Sequence, residues 1–267
     1  MSAFSGDTLA QVRALRAQAG VHAERDETVV VEAPVALLYN GEPFTVMMAT
    51  PGDLEDFALG FALSEGIVAT PSEFRLVDVV RSAAGIALHA AIPQLRHDAL
   101  AQRRRSLEGR SGCGLCGVEA LHDALRPVPV VADCKVVSQA RIAATLATLA
   151  QHQPLNAQSG GVHAAAFAHA GGLLVREDVG RHNALDKLIG ALVCAGIAPG
   201  DGFLVVTSRA SYEIVHKAAT AGIGIVIAIS APTDLAIRTA EAAGLTLAAF
   251  ARGDALNLYT QPQRIVA

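Results

Sequence analysis

The chain has 267 residues, a hydrophobic fraction of 52% and a formal net charge of −4. That apolar content is ample for a buried core, and the length allows one large α/β domain or two smaller ones. Aromatics are scarce at 4%, with no Trp, which argues against a stacking platform for single-stranded nucleic acid, and the net charge offers no global attraction for nucleic acid or anionic membrane, so any anion site has to be local.

In chain order, residues 1–26 are polar and charged and read as a mobile or loosely helical lead, without the apolar core of a signal peptide. No apolar run of about 18 residues follows, so no membrane span is expected and the protein is read as cytoplasmic. Two strand-like runs cover 28–38 and 44–49, and Asn40-Gly41 between them is a hairpin signal because both residues tolerate positive φ. Thr50 reads as a helix cap with Pro51 in the first turn, and Leu54, Phe57 and Phe61 give the helix an apolar face through Leu63. Strands at about 74–81 and 85–92 complete a small α+β unit. Residues 93–117 break the pattern, with Arg103-Arg104-Arg105 leading into a glycine-rich stretch. The arginine run reads either as a solvated helix face or as an attractor for an anionic cargo or acidic partner.

From residue 138 the periods are clearer. A helix is predicted over 138–152, then strands over 162–168 and 172–177 turning at Ala170-Gly171. Helix 181–195, strand 202–207, helix 211–221, strand 223–230, helix 233–243 and strand 245–251 follow. Continuous apolar strands such as 224–229 suit a sheet covered on both faces. The pattern predicts a three-layer α/β/α core with a largely parallel sheet and a smaller N-terminal α+β domain. The boundaries are 1–105 for the N-terminal domain, 106–117 for a mobile Gly/Cys loop and 118–267 for the core.

The chemistry concentrates in four places. Cys113 and Cys116 lie in Gly112-Cys113-Gly114-Leu115-Cys116-Gly117, while the other two cysteines, Cys134 and Cys194, stand alone. A Cys-x-x-Cys pair serves as half a zinc site, a redox dithiol or a reactive thiol with a neighbour. Structural zinc needs a second close pair, which is missing, so no zinc is expected. A reducing compartment disfavours a structural disulfide. Gly112, Gly114 and Gly117 match G-x-G-x-x-G, but no strand precedes them, as a dinucleotide site requires. A helix starting at about residue 117 would hold Cys116 at its N-terminus, with Cys113 close by, where a thiolate is stabilised.

The other three clusters fall at strand–helix junctions. Arg181, His182 and Asn183 open a helix, where a phosphate binds well. Ser208, Arg209 and Ser211 follow a strand, at the edge where open α/β sheets bind ligands. Phe250, Ala251, Arg252, Gly253, Asp254 and Ala255 follow the last strand. Each alone is also explained by caps and surface ion pairs; three together point to an anion. His163 reads as a base, a metal ligand or a structural residue.

Five stretches together resemble the FdhD/NarQ family of formate dehydrogenase accessory sulfurtransferases: 50–66 (TPGDLEDFALGFALSEG), 111–117 (SGCGLCG), 160–166 (GGVHAAA), 178–187 (DVGRHNALDK) and 208–217 (SRASYEIVHK). The resemblance implies a carrier that takes persulfide sulfur from a cysteine desulfurase and passes it to the bis-(molybdopterin guanine dinucleotide) molybdenum cofactor, bound as cargo, for the catalytic subunit of formate dehydrogenase. It places the persulfide on Cys113 with Cys116 as companion, and puts a cofactor-binding segment on 250–255. It also implies a cytidine-deaminase-like core and a homodimer. Arg181, His182, Ser208 and Arg209 are the expected further contacts to the cofactor. A zinc deaminase would need His-x-Glu and a later Pro-Cys-x-x-Cys; here Ala164 and Ala165 follow His163, and the cysteine pair precedes it. Two further readings stay open: a cofactor-binding chaperone whose cysteines only shape the loop, and a dithiol redox protein.

Overall fold

In a computed structural model that describes residues 6–105, 126–131 and 135–267 (for 101–105 the helical backbone alone), the polar lead is a two-stranded ribbon. Strand β1 (Leu9–Gln18) pairs antiparallel with β2 (Val21–Val30) around Ala19 and Gly20, whose φ values are 50° and 79°. This corrects the expectation of a mobile or loosely helical lead. Polar residues occupy both faces of the ribbon, which is exposed along most of its length, so no alternation betrays it. Its base is tied by the Val31 N–H donating to the Thr8 carbonyl at 2.9 Å.

Strands β3 (Ala33–Tyr39) and β4 (Glu42–Ala49) turn at Asn40 and Gly41, both at positive φ, as the Asn-Gly signal requires. Helix α1 (Leu54–Ser64) follows, then β5 (Arg75–Ser82) and β6 (Gly85–Ala91), giving a sheet of order β4-β3-β6-β5. Val35, Leu37, Tyr39, Ile86 and Leu88 alternate onto one face and pack on Phe57, Ala58 and Phe61 of α1. The helix starts later than its sequence suggests. Asp53, in the left-handed region at φ 51°, precedes Leu54, and Thr50 is buried and used elsewhere. Helix α2 (Gln94–Arg105), with Pro93 just before it, covers the start of what reads as a break. The backbone of Arg103, Arg104 and Arg105 lies on it.

The second unit begins with β7 (Val137–Ser138) and α3 (Gln139–Leu149), which with the 3-10 turn after it covers the helix predicted over 138–152, and then α4 (Pro154–Ser159), a short further helix beyond that prediction. Then come β8 (His163–His169), β9 (Gly172–Asp178), α5 (Arg181–Cys194), β10 (Gly202–Val206), α6 (Tyr212–Thr220), β11 (Ile225–Ala228), α7 (Asp234–Ala242), β12 (Thr246–Arg252), β13 (Ala255–Thr260) and β14 (Ile265–Val266). Six of these strands form a sheet of order β13-β12-β11-β10-β8-β9, with β10, β11 and β12 parallel. Leu204, Val206, Val226 and Ala228 face Leu185, Leu188, Ile214 and Ala236 from α5, α6 and α7. Phe203, Val205, Ile225 and Ile227 alternate to the opposite face, onto Ile142 and Leu149 of α3. Both faces are covered, so the central strands are apolar throughout and the core is a three-layer α/β/α arrangement.

The two units meet where α1 crosses α5, and glycine permits the approach. A Cβ at Gly60 would stand 1.7 Å from the Asp186 carbonyl oxygen, and one at Gly190 would stand 2.0 Å from that of Asp56. Among the described residues no helix is long and apolar enough to cross a membrane.

Candidate functional site

The strand directions bring the predicted clusters to one edge. Strand β9 runs antiparallel to β8, which runs antiparallel to β10, so β9, β10, β11 and β12 all end on the same side of the sheet. His163 opens β8 at that edge and pairs with Asp178, the last residue of β9. Arg181 and His182 begin α5 immediately beyond, and Ser208 and Arg209 follow β10.

Arg181 is partly buried, and its Nε is buried without a hydrogen-bond partner among the described residues. A buried donor left unpaired costs free energy, which makes this nitrogen the part of the edge best prepared to accept an anionic group. His182 Nε2 lies 2.7 Å from Glu213 Oε2 and 3.4 Å from Ser211 Oγ. Its hydrogen bond, set against burial, holds the Glu213 carboxyl below the usual range, with the charges of His182, Lys217 and Arg181 adding to the effect. Burial lowers the pKa of His163, and the positive charges of Arg181 and His182 lower it further. The three side chains therefore share one corner, to which Arg181 brings a positive charge and Glu213, bound to His182, a carboxylate. Serine and carboxylate both meet the same nitrogen of His182, and Ser211 also caps α6 by accepting the Ile214 N–H. A nucleophilic serine relay would place the acid on the other ring nitrogen.

The remaining predicted contacts divide. Arg209 is exposed, whereas Ser208 is 5% exposed and its hydroxyl donates to the Arg209 carbonyl, so it offers nothing outward. Residues 250–255 form the corner from β12 into β13, paired Arg252 to Ala255. Phe250 is 45% exposed and held at φ 55°, an uncommon conformation for an aromatic residue. Its N–H donates to the Ser230 carbonyl beside the end of β11. Ala251 is buried in the core, while Arg252 and Asp254 are exposed and Gly253 makes the turn at φ 59°. Phe250, Arg252 and the Asp254 carboxylate are exposed together, two strands from Arg209 along the same edge. Cys113 and Cys116 lie outside the described residues, as does Cys134.

Many charged residues in the stretches carrying the family resemblance are not at this edge but in the seam between the units. Lys187 and Asp178 are both fully buried and pair at 2.8 Å. Asp178 also accepts the N–H groups of Thr50 and Gly180 and the amide of Asn183, and Lys187 donates to the Thr50 carbonyl. This network clamps the N-terminal unit to the corner that presents Arg181 and His182. A second network joins Lys217 to Asp186 at 2.8 Å, Glu65 at 2.9 Å and Ser64 at 3.0 Å. Burial pushes the Asp186 carboxyl up, and Lys217 opposes it. Sequence reading takes such residues as ligand contacts or caps. Only the contacts of these pairs with Thr50, Ser64 and Glu65, each more than 100 residues away in the chain, show them as seam networks.

The family model described as the FdhD/NarQ family matches residues 30–266. A relative from Xanthomonas campestris pv. campestris named sulfur carrier protein FdhD is 54% identical over 252 residues, covering 94% of this chain and 90% of the relative. One of the same name from Bordetella petrii is 46% identical over 260 residues, covering 96% and 94%. Among solved structures, a Desulfotalea psychrophila protein proposed to be a formate dehydrogenase accessory protein superposes with a TM-score of 0.76 at 25% identity, covering 97% of this chain and all of that one.

Proposed function

This chain belongs to the FdhD/NarQ family, and on that premise we propose that it carries sulfur for the maturation of formate dehydrogenase. The Cys113 thiolate attacks the outer sulfur of a cysteine desulfurase persulfide. The donor S–S bond breaks, the donor cysteine leaves as thiolate, and a persulfide forms on Cys113. The α/β edge holds the anionic cofactor that receives the sulfur, the bis-(molybdopterin guanine dinucleotide) form of molybdenum. Where Cys116 assists, its thiolate attacks Cys113 Sγ, the outer sulfur leaves with the bonding pair as sulfide, and a cellular dithiol later reduces the Cys113–Cys116 disulfide.

The observation that supports the cofactor half is the corner of Arg181 and His182 beside His163, with Arg181 Nε unpartnered among the described residues, on the ligand-binding side of an open α/β sheet. Phosphates at a helix N-terminus gain from both backbone N–H groups and the helix dipole. Arg209, Arg252 and the exposed ring of Phe250 extend the same edge toward a longer, partly planar ligand. The carrier half rests on the name its relatives bear and on Cys113 and Cys116. A reducing cytoplasm, a homodimeric assembly and the formate dehydrogenase catalytic subunit as client complete the reading.

Mass spectrometry after incubation with a desulfurase and cysteine tests it: one added sulfur on Cys113 is expected, and none in Cys113→Ala. A Cys113→Ala protein that still activates formate dehydrogenase sinks the carrier assignment and leaves a cofactor-binding chaperone. Binding of a guanine dinucleotide, followed by calorimetry, is expected to weaken about tenfold in Arg181→Ala, the size of losing one charge-assisted hydrogen bond.

A further inference from the structure

Two surfaces of this chain are made for contact and lie open. The first is the outer face of the N-terminal sheet, opposite α1. Val46 of β4, Ala36 of β3, Ala87 of β6 and Val80 of β5 stand in one cross-strand row, with Pro34 opposite Met48 beside it. A sheet with one wet face carries polar residues at such positions. Here Val46 is 61% exposed, and Met48 and Val80 are exposed with it. Alanine on the two middle strands and valine on the two outer ones make the row a trough. It is a shallow groove of about 210 Å³, lined among the described residues only by this sheet and its β5–β6 turn.

The second surface is the ribbon of β1 and β2. Antiparallel partners share a face, so Ala10, Val12 and Ala14 of β1 fall together with Val29, Ala23 and Val21 of β2. Arg16, Gln18, Arg25 and Glu27 share that face, and their long stems carry the polar heads out to water at its margin. The root of the ribbon is held. Val31 and Thr8 close it, and a Cβ on Gly161 would stand 3.1 Å from Val30 Cγ1. The tip is not, and Val21 there is 68% exposed. An isolated two-stranded ribbon is marginal in water, so this one gains by lying on another surface. In its own copy β2 runs beside α4 of the core unit, and no residue of the ribbon lines the trough.

We propose that the two surfaces meet between copies: in a symmetric dimer the β1–β2 arm of one copy lies in the outer-sheet trough of its partner, and the partner's arm returns the contact. The proposal rests on the homodimeric part of the reading above and assigns its interface. Such an exchange uses the same two patches twice and closes on a two-fold axis. Alanines on both surfaces suit flat packing of sheet on sheet, about 10 Å apart. The size also fits. Strands of 10 residues make an arm about 34 Å long and about 10 Å wide, which covers about 340 Å² of sheet. Two arms, each burying both contacting surfaces, remove about 1,400 Å² in all, within the range of stable interfaces.

Light scattering of the full chain at micromolar concentration is expected to give twice the mass of one chain. Val12→Glu with Val29→Glu puts two unpaired carboxylates on the arm, and Val46→Glu with Val80→Glu puts two in the trough. Each pair is expected to raise the dimer dissociation constant at least about a hundredfold, because a charge is buried without a partner. Val12→Ser with Val29→Ser is the milder form of the arm variant and is expected to weaken association about tenfold. All four positions lie outside the apolar cores, so the variants lose association and keep the far-ultraviolet circular dichroism of the wild type. A wild-type chain that scatters as a monomer overturns the homodimeric reading and the interface together. A dimer that survives either glutamate pair with its circular dichroism intact overturns the arm-in-trough contact alone.

Discussion

Replacing Gly60 with alanine sets helix propensity against packing in the seam. In an isolated helix the change is favourable by about 1 kcal/mol, because alanine loses less backbone entropy. In this fold the new Cβ meets the Asp186 carbonyl oxygen at 1.7 Å and the Gly190 nitrogen at 2.7 Å, both backbone atoms of α5. Ordinary contact begins at 3.4 Å, so α1 and α5 must part by about 1.7 Å (3.4 − 1.7). That movement also pulls Ser64, 2.5 Å from Asp186, and Glu65, 2.9 Å from Lys217, away from partners that are nearly inaccessible to solvent. Overpacking costs about 1–3 kcal/mol, and loosening a buried ion pair adds to it. Against a gain of about 1 kcal/mol, the net is a loss of about 3 kcal/mol. For a chain of this size that lowers the melting temperature by about 6–12 °C. Differential scanning calorimetry of the purified protein measures it. A Gly60→Ala variant that melts at or above the wild-type temperature would refute the close helix crossing and the role given to the seam.

Other outcomes follow from the same networks. Burial raises the Glu65 carboxyl pKa, but Lys217 and Arg126 outweigh it and hold the group at about 2, against an ordinary 4.5. A depressed folded pKa means the stabilisation is complete above pH 4.5 and disappears as pH falls toward 2, at most about 3 kcal/mol in all. Asp186 shifts the opposite way, so the informative quantity is the difference in urea midpoint between wild type and Glu65→Gln. It should shrink across that window, and a constant difference counts against the pairing. Lys187→Met strands the buried Asp178 carboxylate with its N–H donors alone and is expected to cost about 3 kcal/mol, seen as a lowered urea midpoint. A midpoint equal to wild type contradicts the clamp. Deleting residues 1–29 removes an exposed two-stranded ribbon, which contributes little by itself, and should cost about 1 kcal/mol or less in thermal stability.

The sequence alone was enough for whatever depends on neighbours along the chain. The Asn40-Gly41 turn, the alternation of helix and strand from residue 163 onward, and the apolar runs of β10 and β11 are written in short-range chemistry. So is the cysteine pair with its flanking glycines. Arg181, His182 and Arg209 could be placed at strand–helix junctions for the same reason, and the parallel strands then brought them to one edge.

Only the tertiary structure decided which polar residues of those stretches face a ligand and which hold the molecule together. Ser208 looked like an anion donor and turns inward. Thr50 looked like a helix cap and is bound to Asp178 across 128 positions, while Ser64 meets Asp186 across 122. No local period encodes such pairs, because a buried charge is tolerated only when its partner arrives from elsewhere in the fold. The polar ribbon at the N-terminus escaped for the opposite reason: with no buried face it carries no hydrophobic alternation, and its strands are legible only in their backbone pairing. The contacts of Arg126 with Glu65 and Tyr212 belong to the same class: the end of α1, the start of α6 and residue 126 meet at one point, and no single stretch of sequence contains it.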